Sequence, residues 1–229
     1  MRRLWKAAAA PIAPDAREGW AAHERALQEQ VVARGVRDAR VLDALRRVPR
    51  HEFVPASERV SAYGDHPVPI GCGQTISQPY IVAFMTEQLG LTGGEKVLEV
   101  GTGAGYQTAV LAEIAAQVYT LEIVPSLADE ARVRLARLGY RNVHARQGDG
   151  YAGWPEAAPF DAIMVTAAAP YVPEPLRLQL KAGGRLIVPV GDEYQELLLV
   201  TRKGERWHES RVLPVRFVPM TGRVREQSS

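Results

Sequence analysis

The segment Glu99-Val100-Gly101-Thr102-Gly103-Ala104-Gly105 places glycine at every second position from Gly101, directly after a short apolar run. Glycine lets a backbone approach a ligand closely and adopts dihedrals that other residues resist. The spacing is G-x-G-x-G and the next residue is Tyr106, so the third glycine of the dinucleotide fingerprint G-x-G-x-x-G is absent. Two readings are open here, a tight strand-to-helix turn and a nucleotide-binding turn. Glu122 follows Gly101 by 21 residues, the interval at which a strand-end carboxylate accepts hydrogen bonds from ribose hydroxyls. Alone it would be a solvated surface residue. Gly148-Asp149-Gly150 comes one strand further on, where an Asp can accept from an adenine amino group while its backbone amide meets a ring nitrogen. Taken in consecutive order, the three features favour a nucleoside site.

A second chemical segment is Pro69-Ile70-Gly71-Cys72-Gly73-Gln74-Thr75-Ile76-Ser77-Gln78-Pro79-Tyr80, which crowds small and hydroxyl residues ahead of a helix. Ser77 before Pro79-Tyr80-Ile81 suits a helix cap. A capped helix start also presents free amides to an anion, so both readings stand. The histidines at 23, 51, 66, 144 and 208 show neither metal-ligand spacing nor a partnered nucleophile, and no metal is expected. Cys72, the one cysteine, is not read as a nucleophile, and it excludes an internal disulfide framework. No Gly-x-Ser-x-Gly elbow or phosphate-binding Gly-Lys-Ser/Thr loop is present.

The elements that must position these residues follow from periodicity. Apolar residues from His23 to Val48 recur at helical spacing and break near Gly35, predicting two amphipathic helices. Residues 49–80 are rich in Pro and Gly without a sustained period and read as a long functional loop. Strands are expected at Val97–Val100, Val118–Ile123, Val143–Gly148, Phe160–Val165 and Arg185–Val190. Helices are expected from about Tyr106 to Ala115, from a Ser126 cap to Leu138 with Gly139 as the stop, and from Pro175 to Leu180 with Gly183-Gly184 as the stop. Leu197–Thr201 and Val212–Val218 read as an antiparallel edge hairpin. Strands alternating with helices predict an α/β fold, a doubly wound and mostly parallel sheet. Residues 1–20 read as a loosely ordered arm, 21–80 as N-terminal helices and a substrate loop, and 81–229 as the ligand-binding domain, all in one globular unit.

Lys and Arg exceed Asp and Glu by 28 − 26 = 2 charges, too few to imply a nucleic-acid or membrane surface. No apolar run approaches the ~18 residues of a membrane span. Lys6 interrupts the apolar start, so no secretion signal is expected and a cytoplasmic protein is; a monomer is the default expectation, since the sequence does not reveal the oligomeric state.

Gly73–Tyr80, Val97–Tyr106, Gly148–Gly150 and Arg216-Phe217-Val218-Pro219-Met220 together resemble the protein-L-isoaspartate (D-aspartate) O-methyltransferases, in order from about residue 25 to 222. The Thr-Ile-Ser-Gln-Pro block is the specific part; most S-adenosylmethionine methyltransferases share the Gly-rich turn. The resemblance implies a Rossmann-like, seven-stranded methyltransferase sheet with an antiparallel edge and an N-terminal helical extension. It implies S-adenosyl-L-methionine as cofactor, S-adenosyl-L-homocysteine as product, and damaged proteins carrying isoaspartyl or D-aspartyl residues as substrates. By the same likeness Ser77 matches the active-site serine, and Glu122 and Asp149 match ribose and adenine contacts. Thr75, Ile76, Ser77, Gly101, Thr102, Gly103, Ala104, Gly105, Ile123, Gly150 and Thr221 complete the cofactor set, with Ala104 standing where some relatives carry Ser. An isoaspartyl α-carboxylate is ionised at neutral pH, with a reference pKa of about 3.3–3.7. It needs no general base, and the visible lack of an acid–base dyad agrees with that.

The alternatives are a generic methyltransferase of a small molecule or RNA, against which the Thr75–Gln78 block argues, and a non-catalytic cofactor-binding module. A DNA amino-methylating enzyme would want Asp/Asn-Pro-Pro-aromatic where the chain has Thr166-Ala167-Ala168-Ala169-Pro170. A cytosine-C5 enzyme would want Pro-Cys, and Tyr106 disfavours a nicotinamide dehydrogenase.

Overall fold

The computed structural model describes residues 23–226, so the expected arm at 1–20 lies outside the described residues. Helical residues 23–26 run into a π-helical turn, Leu27–Val32, and Gly35 at φ +103° breaks it from helix α1, Ala39–Arg47. Asp38 caps α1 by accepting from Arg40 N at 2.8 Å. The expected long loop contains a hairpin, β1 (Val68–Gly71) and β2 (Gln74–Ile76), which leads into helix α2, Pro79–Leu89. The main sheet then runs through β3 (Lys96–Val100), α3 (Tyr106–Ile114), β4 (Gln117–Glu122), α4 (Pro125–Arg137) and β5 (Val143–Gln147). It returns through β6 (Phe160–Val165), α5 (Glu174–Leu178), β7 (Leu180–Val190), β8 (Gln195–Lys203) and β9 (Arg206–Val215), and α6 (Arg223–Glu226) follows.

The seven strands lie in the order β5-β4-β3-β6-β7-β8-β9. The first five positions pair in parallel, and β8 and β9 add in antiparallel fashion. The chain steps outward from β3 to β5, then crosses back to β6 on the other side of β3. Ligands bind at such a reversal, outside the carboxyl ends of the strands. Both faces of the central strands are buried, as their continuous apolar runs require. Val97, Ala162, Met164 and Ile187 meet α1, α2 and α3, while Leu98, Val100, Ile163, Val165, Leu186 and Val188 face Leu176, Met220 and Val224.

Three local expectations are corrected. Ser126 does not cap α4: Pro125 begins the helix and Val124 holds the cap position with no side-chain bond. Gly183-Gly184 does not stop a helix; both glycines lie inside β7, and a Cβ on Gly184 would stand 2.8 Å from Asp161 O on β6. The missing side chain there permits close strand approach. Residues 216–218 leave the terminal hairpin, because β9 ends at Val215 and Val218 O accepts from Ala168 N at 2.8 Å.

Glu99 is fully buried on β3, where its Oε2 accepts from Thr108 Oγ1 at 2.5 Å and Thr120 Oγ1 at 2.7 Å. Oε1 meets no donor among the described residues. Burial pushes its carboxyl from an ordinary 4.5 up to about 8, against those two hydroxyls. A raised folded pKa means a stability contribution that is complete below about pH 4.5 and is lost as pH rises through 8. Glu99→Gln removes that titration. From pH 5.5 to 8.5 the wild-type melting temperature should fall further than the variant's, by at least about 2–4 °C, the equivalent of roughly 1 kcal/mol in a domain this size. Parallel melting curves across that range would contradict the assignment.

Candidate active site

The turn after β3 is anchored on two sides. Leu121 O on β4 accepts from Gly101 N at 2.8 Å and Thr102 N at 3.2 Å. From β6, Thr166 Oγ1 donates to Gly101 O at 2.6 Å and lies 3.0 Å from Val100 O. Gly101 has φ +97°, and a Cβ there would overlap the Thr166 hydroxyl, so both conformation and space demand glycine.

Glu122 supplies a third anchor. It is 6% exposed at the end of β4, and its Oε2 accepts from Gly103 N at 2.7 Å while Oε1 accepts from Val124 N at 3.0 Å. The carboxylate therefore fixes the turn's central amide and still carries unused lone pairs. Asp149 caps the short turn Gly150–Ala152 through Tyr151 N at 2.9 Å, and its second oxygen accepts from Arg223 N at 2.8 Å. It thereby ties the end of the third parallel strand to the C-terminal segment.

Two cavities flank the Gly-rich turn. One, of about 610 Å³, is lined by Gln74, Thr75, Gly101, Gly103, Glu122, Ile123, Gly150, Thr166, Met220 and Thr221 among others. The second, of about 430 Å³, is lined by Thr75, Ile76, Ser77, Met85, Gly101, Thr102, Gly103, Ala104, Tyr106, Gln107, Thr166 and Phe217 among others. They share Thr75, Gly101, Gly103 and Thr166, so the turn is the partition between them. Of the residues expected from sequence, Gly105 and Asp149 line neither cavity. Gly105 instead begins α3 at φ +90° with its open side against Leu135.

The hairpin delivers Thr75-Ile76-Ser77 to the turn. Its Ile70 side chain lies 3.3 Å from where a Cβ on Gly103 would be, and at its tip Cys72 Sγ lies 3.6 Å from Ser126 Oγ on α4. Cys72 is exposed and outside both linings. The capping expectation for Ser77 is corrected: Gln78 is the cap residue of α2, without a side-chain bond, and Ser77 is one residue too early. Among the described residues the Ser77 hydroxyl has no hydrogen-bond partner, and the residue is half-buried at the cavity wall.

Charge is sparse here. Glu122 and Tyr106 are the titratable side chains in the two linings. Tyr106 is raised by burial; the buried Arg50 guanidinium sits 4.8 Å from its ring, and Phe53 meets it edge-on at 5.6 Å. The histidines lie elsewhere: His51 bonds Tyr63 Oη at 2.7 Å, His23 stacks on Tyr63, His144 stacks on Tyr119, and His66 and His208 are exposed. No group of three or more His, Cys, Asp or Glu among the described residues could hold a metal. Thr166, Met85, Gln107, Met220 and Phe217 are lining residues that sequence reasoning did not select. Phe217 and Met220 carried a signal, their place in the Arg216–Met220 block.

The family model described as protein-L-isoaspartate(D-aspartate) O-methyltransferase matches residues 22–225. A protein-L-isoaspartate O-methyltransferase from Synechococcus sp. (strain JA-2-3B'a(2-13)) is 55% identical over 219 residues, covering 92% of this chain and 90% of the relative. A solved protein-L-isoaspartate O-methyltransferase matches with TM-score 0.80 and 33% identity, over 88% of this chain and 67% of its own. A Plasmodium falciparum structure assigned to the same activity, in complex with S-adenosyl-L-homocysteine, matches with TM-score 0.77 and 27% identity over 87% of this chain and 98% of its own.

Glu122→Ala should release the Gly103 and Val124 amides, at a cost of about 1–3 kcal/mol for the unpaired donors. Amide hydrogen exchange would show both positions exchanging faster in the variant; unchanged exchange at Gly103 would remove Glu122 as the turn's anchor.

Proposed function

The chain belongs to the protein-L-isoaspartate(D-aspartate) O-methyltransferase family, and from that premise we propose roles for the residues of its site. The protein is a repair methyltransferase that uses S-adenosyl-L-methionine to methylate the α-carboxylate of L-isoaspartyl residues in damaged proteins. No helix among the described residues is long and apolar enough to cross a membrane.

The larger cavity suits a nucleoside. A buried carboxylate with spare lone pairs, Glu122, stands where ribose hydroxyls need an acceptor. Gly150 adjoins it at a point where a Cβ would overlap Val100, which keeps that wall open to a flat ring. Ile123 and Met220 supply apolar faces, and Thr221 closes the rim. When bound there, S-adenosyl-L-methionine supplies an electrophilic sulfonium methyl.

The smaller cavity is the acceptor site in this reading. Its carrying observation is the Ser77 hydroxyl, without a hydrogen-bond partner among the described residues and set across the Gly-rich turn from the nucleoside cavity. Ser77 O–H donates to an oxygen of the incoming carboxylate and turns the other oxygen toward the turn. Ile76, Met85 and Phe217 form apolar walls that exclude water, which strengthens that one directed hydrogen bond. The substrate carboxylate is already charged above its reference pKa of about 3.3–3.7, so the chain needs to hold it in place and has no proton to remove. Positioning of this kind can supply several kcal/mol of the barrier.

The test is methyl transfer from labelled cofactor to an isoaspartyl peptide, beside its aspartyl twin. Wild type should label the first and spare the second. Ser77→Ala should lower turnover on the order of 10–100-fold, the cost of about 1 Å of misplacement, with S-adenosyl-L-homocysteine affinity nearly unchanged in titration calorimetry. Wild-type turnover in the variant would leave Ser77 with no part in holding the acceptor.

A further inference from the structure

Gln195 opens β8 and lines neither cavity. Its side-chain amide is fully engaged with backbone. Oε1 accepts from Phe217 N at 2.6 Å, and Nε2 donates to Phe217 O and Asp192 O, each at 3.2 Å. Because a backbone N–H must meet an acceptor, the bond from Phe217 fixes which way the amide faces. One side chain thus pairs with both backbone groups of Phe217, as a neighbouring strand would.

This pairing occurs where the chain has left β9. The ladder between β8 and β9 ends at Gln195 opposite Val215, and the next backbone tie is Val218 O to Ala168 N at 2.8 Å. Between those points, the Gln195 amide holds the backbone of Phe217. Phe217 is half-buried and forms a wall of the cavity that contains Ser77, Ile76 and Met85. It does not line the cavity of Glu122 and Thr221. The later part of the C-terminal segment, which does reach that cavity, has separate anchors: Met220 N to Ala168 O at 2.7 Å and Arg223 N to Asp149 Oδ2 at 2.8 Å.

We infer that Gln195 is a positioning residue for the acceptor peptide: by clamping the backbone of Phe217 from outside the cavity, it sets the wall against which the isoaspartyl residue is held. The inference rests on the reading of the Ser77 cavity as the acceptor site. Its distinctive consequence is selectivity, because the clamp acts on one cavity and the other has anchors of its own.

The experiment uses the full chain with Gln195→Ala and Gln195→Glu. Steady-state kinetics with isoaspartyl peptide, calorimetry with S-adenosyl-L-homocysteine and amide exchange at Phe217 are measured on each. For Gln195→Ala the expected result is a rise in peptide KM of about 5–20-fold, from the loss of two neutral hydrogen bonds to Phe217. The expected change in kcat is smaller, S-adenosyl-L-homocysteine affinity stays within about twofold, and the Phe217 amide exchanges faster. Gln195→Glu keeps an acceptor for that amide and loses both donations, so Phe217 should stay protected and KM should rise less. The second variant also carries the test should the first fail to fold. Faster Phe217 exchange with unchanged KM overturns the inference, as does an S-adenosyl-L-homocysteine affinity that falls in step with KM. If wild type fails to methylate the isoaspartyl peptide, the acceptor reading itself falls and takes the inference with it, even where exchange shows the clamp intact.

Discussion

The structure depends on holding one short turn, Gly101–Gly105, in a backbone conformation that serves the ligand and offers the fold little in return. Three neighbours hold it there: the Leu121 carbonyl from β4, the Glu122 carboxylate and the Thr166 hydroxyl from β6. Each stands at the carboxyl end of a strand adjacent to β3, so sheet order and turn geometry are one constraint. Were β4 or β6 displaced by one position, the turn would lose a side of its cradle. This is also why the site lies at the reversal between β4 and β6, where two strand ends can reach one loop.

The cavity proposed as the acceptor site is assembled from parts that lie far apart in the chain. The β1–β2 hairpin brings Thr75 to Ser77, α2 brings Met85, α3 brings Tyr106 and Gln107, and the segment after β9 brings Phe217. Just after α1, Arg50 and Phe53 meet the Tyr106 ring at the start of α3. The resulting cavity sets a few hydroxyls among apolar side chains and is poor in titratable groups. That suits a nucleophile that arrives charged: what it needs is a directed hydrogen bond and little competing water. The histidines sit against Tyr63 and Tyr119 or on the surface, away from both linings.

Much of this was legible in the sequence. The parallel strands show as apolar runs, and Glu122 follows from the fixed length of a strand–helix–strand unit, which sets its distance from Gly101. Helix starts and stops were less legible, since Ser126 and Gly183-Gly184 satisfy local rules that tertiary contacts overrode. Pro125 took the first helical position, and the glycines were needed for β7 to approach Asp161 O. Ser77 misses the cap position by one residue, and its hydroxyl has no hydrogen-bond partner among the described residues. Phe217 and Gln195 were illegible as a pair, because a contact across 22 residues between a strand start and an irregular segment has no period.

The central claim is that the site works by holding a pre-ionised carboxylate, with no general base. It is tested most directly by single-turnover methyl transfer from labelled S-adenosyl-L-methionine to an isoaspartyl peptide that carries no other titratable group, between about pH 5.5 and 8.5. Single turnover separates chemistry from product release, and prompt quenching limits loss of the base-labile ester. A rate constant that stays level, within about twofold, is the result the account predicts. A rate that climbs about tenfold per pH unit and levels near pH 7 would contradict it, and would require a basic group that reaches the Ser77 cavity.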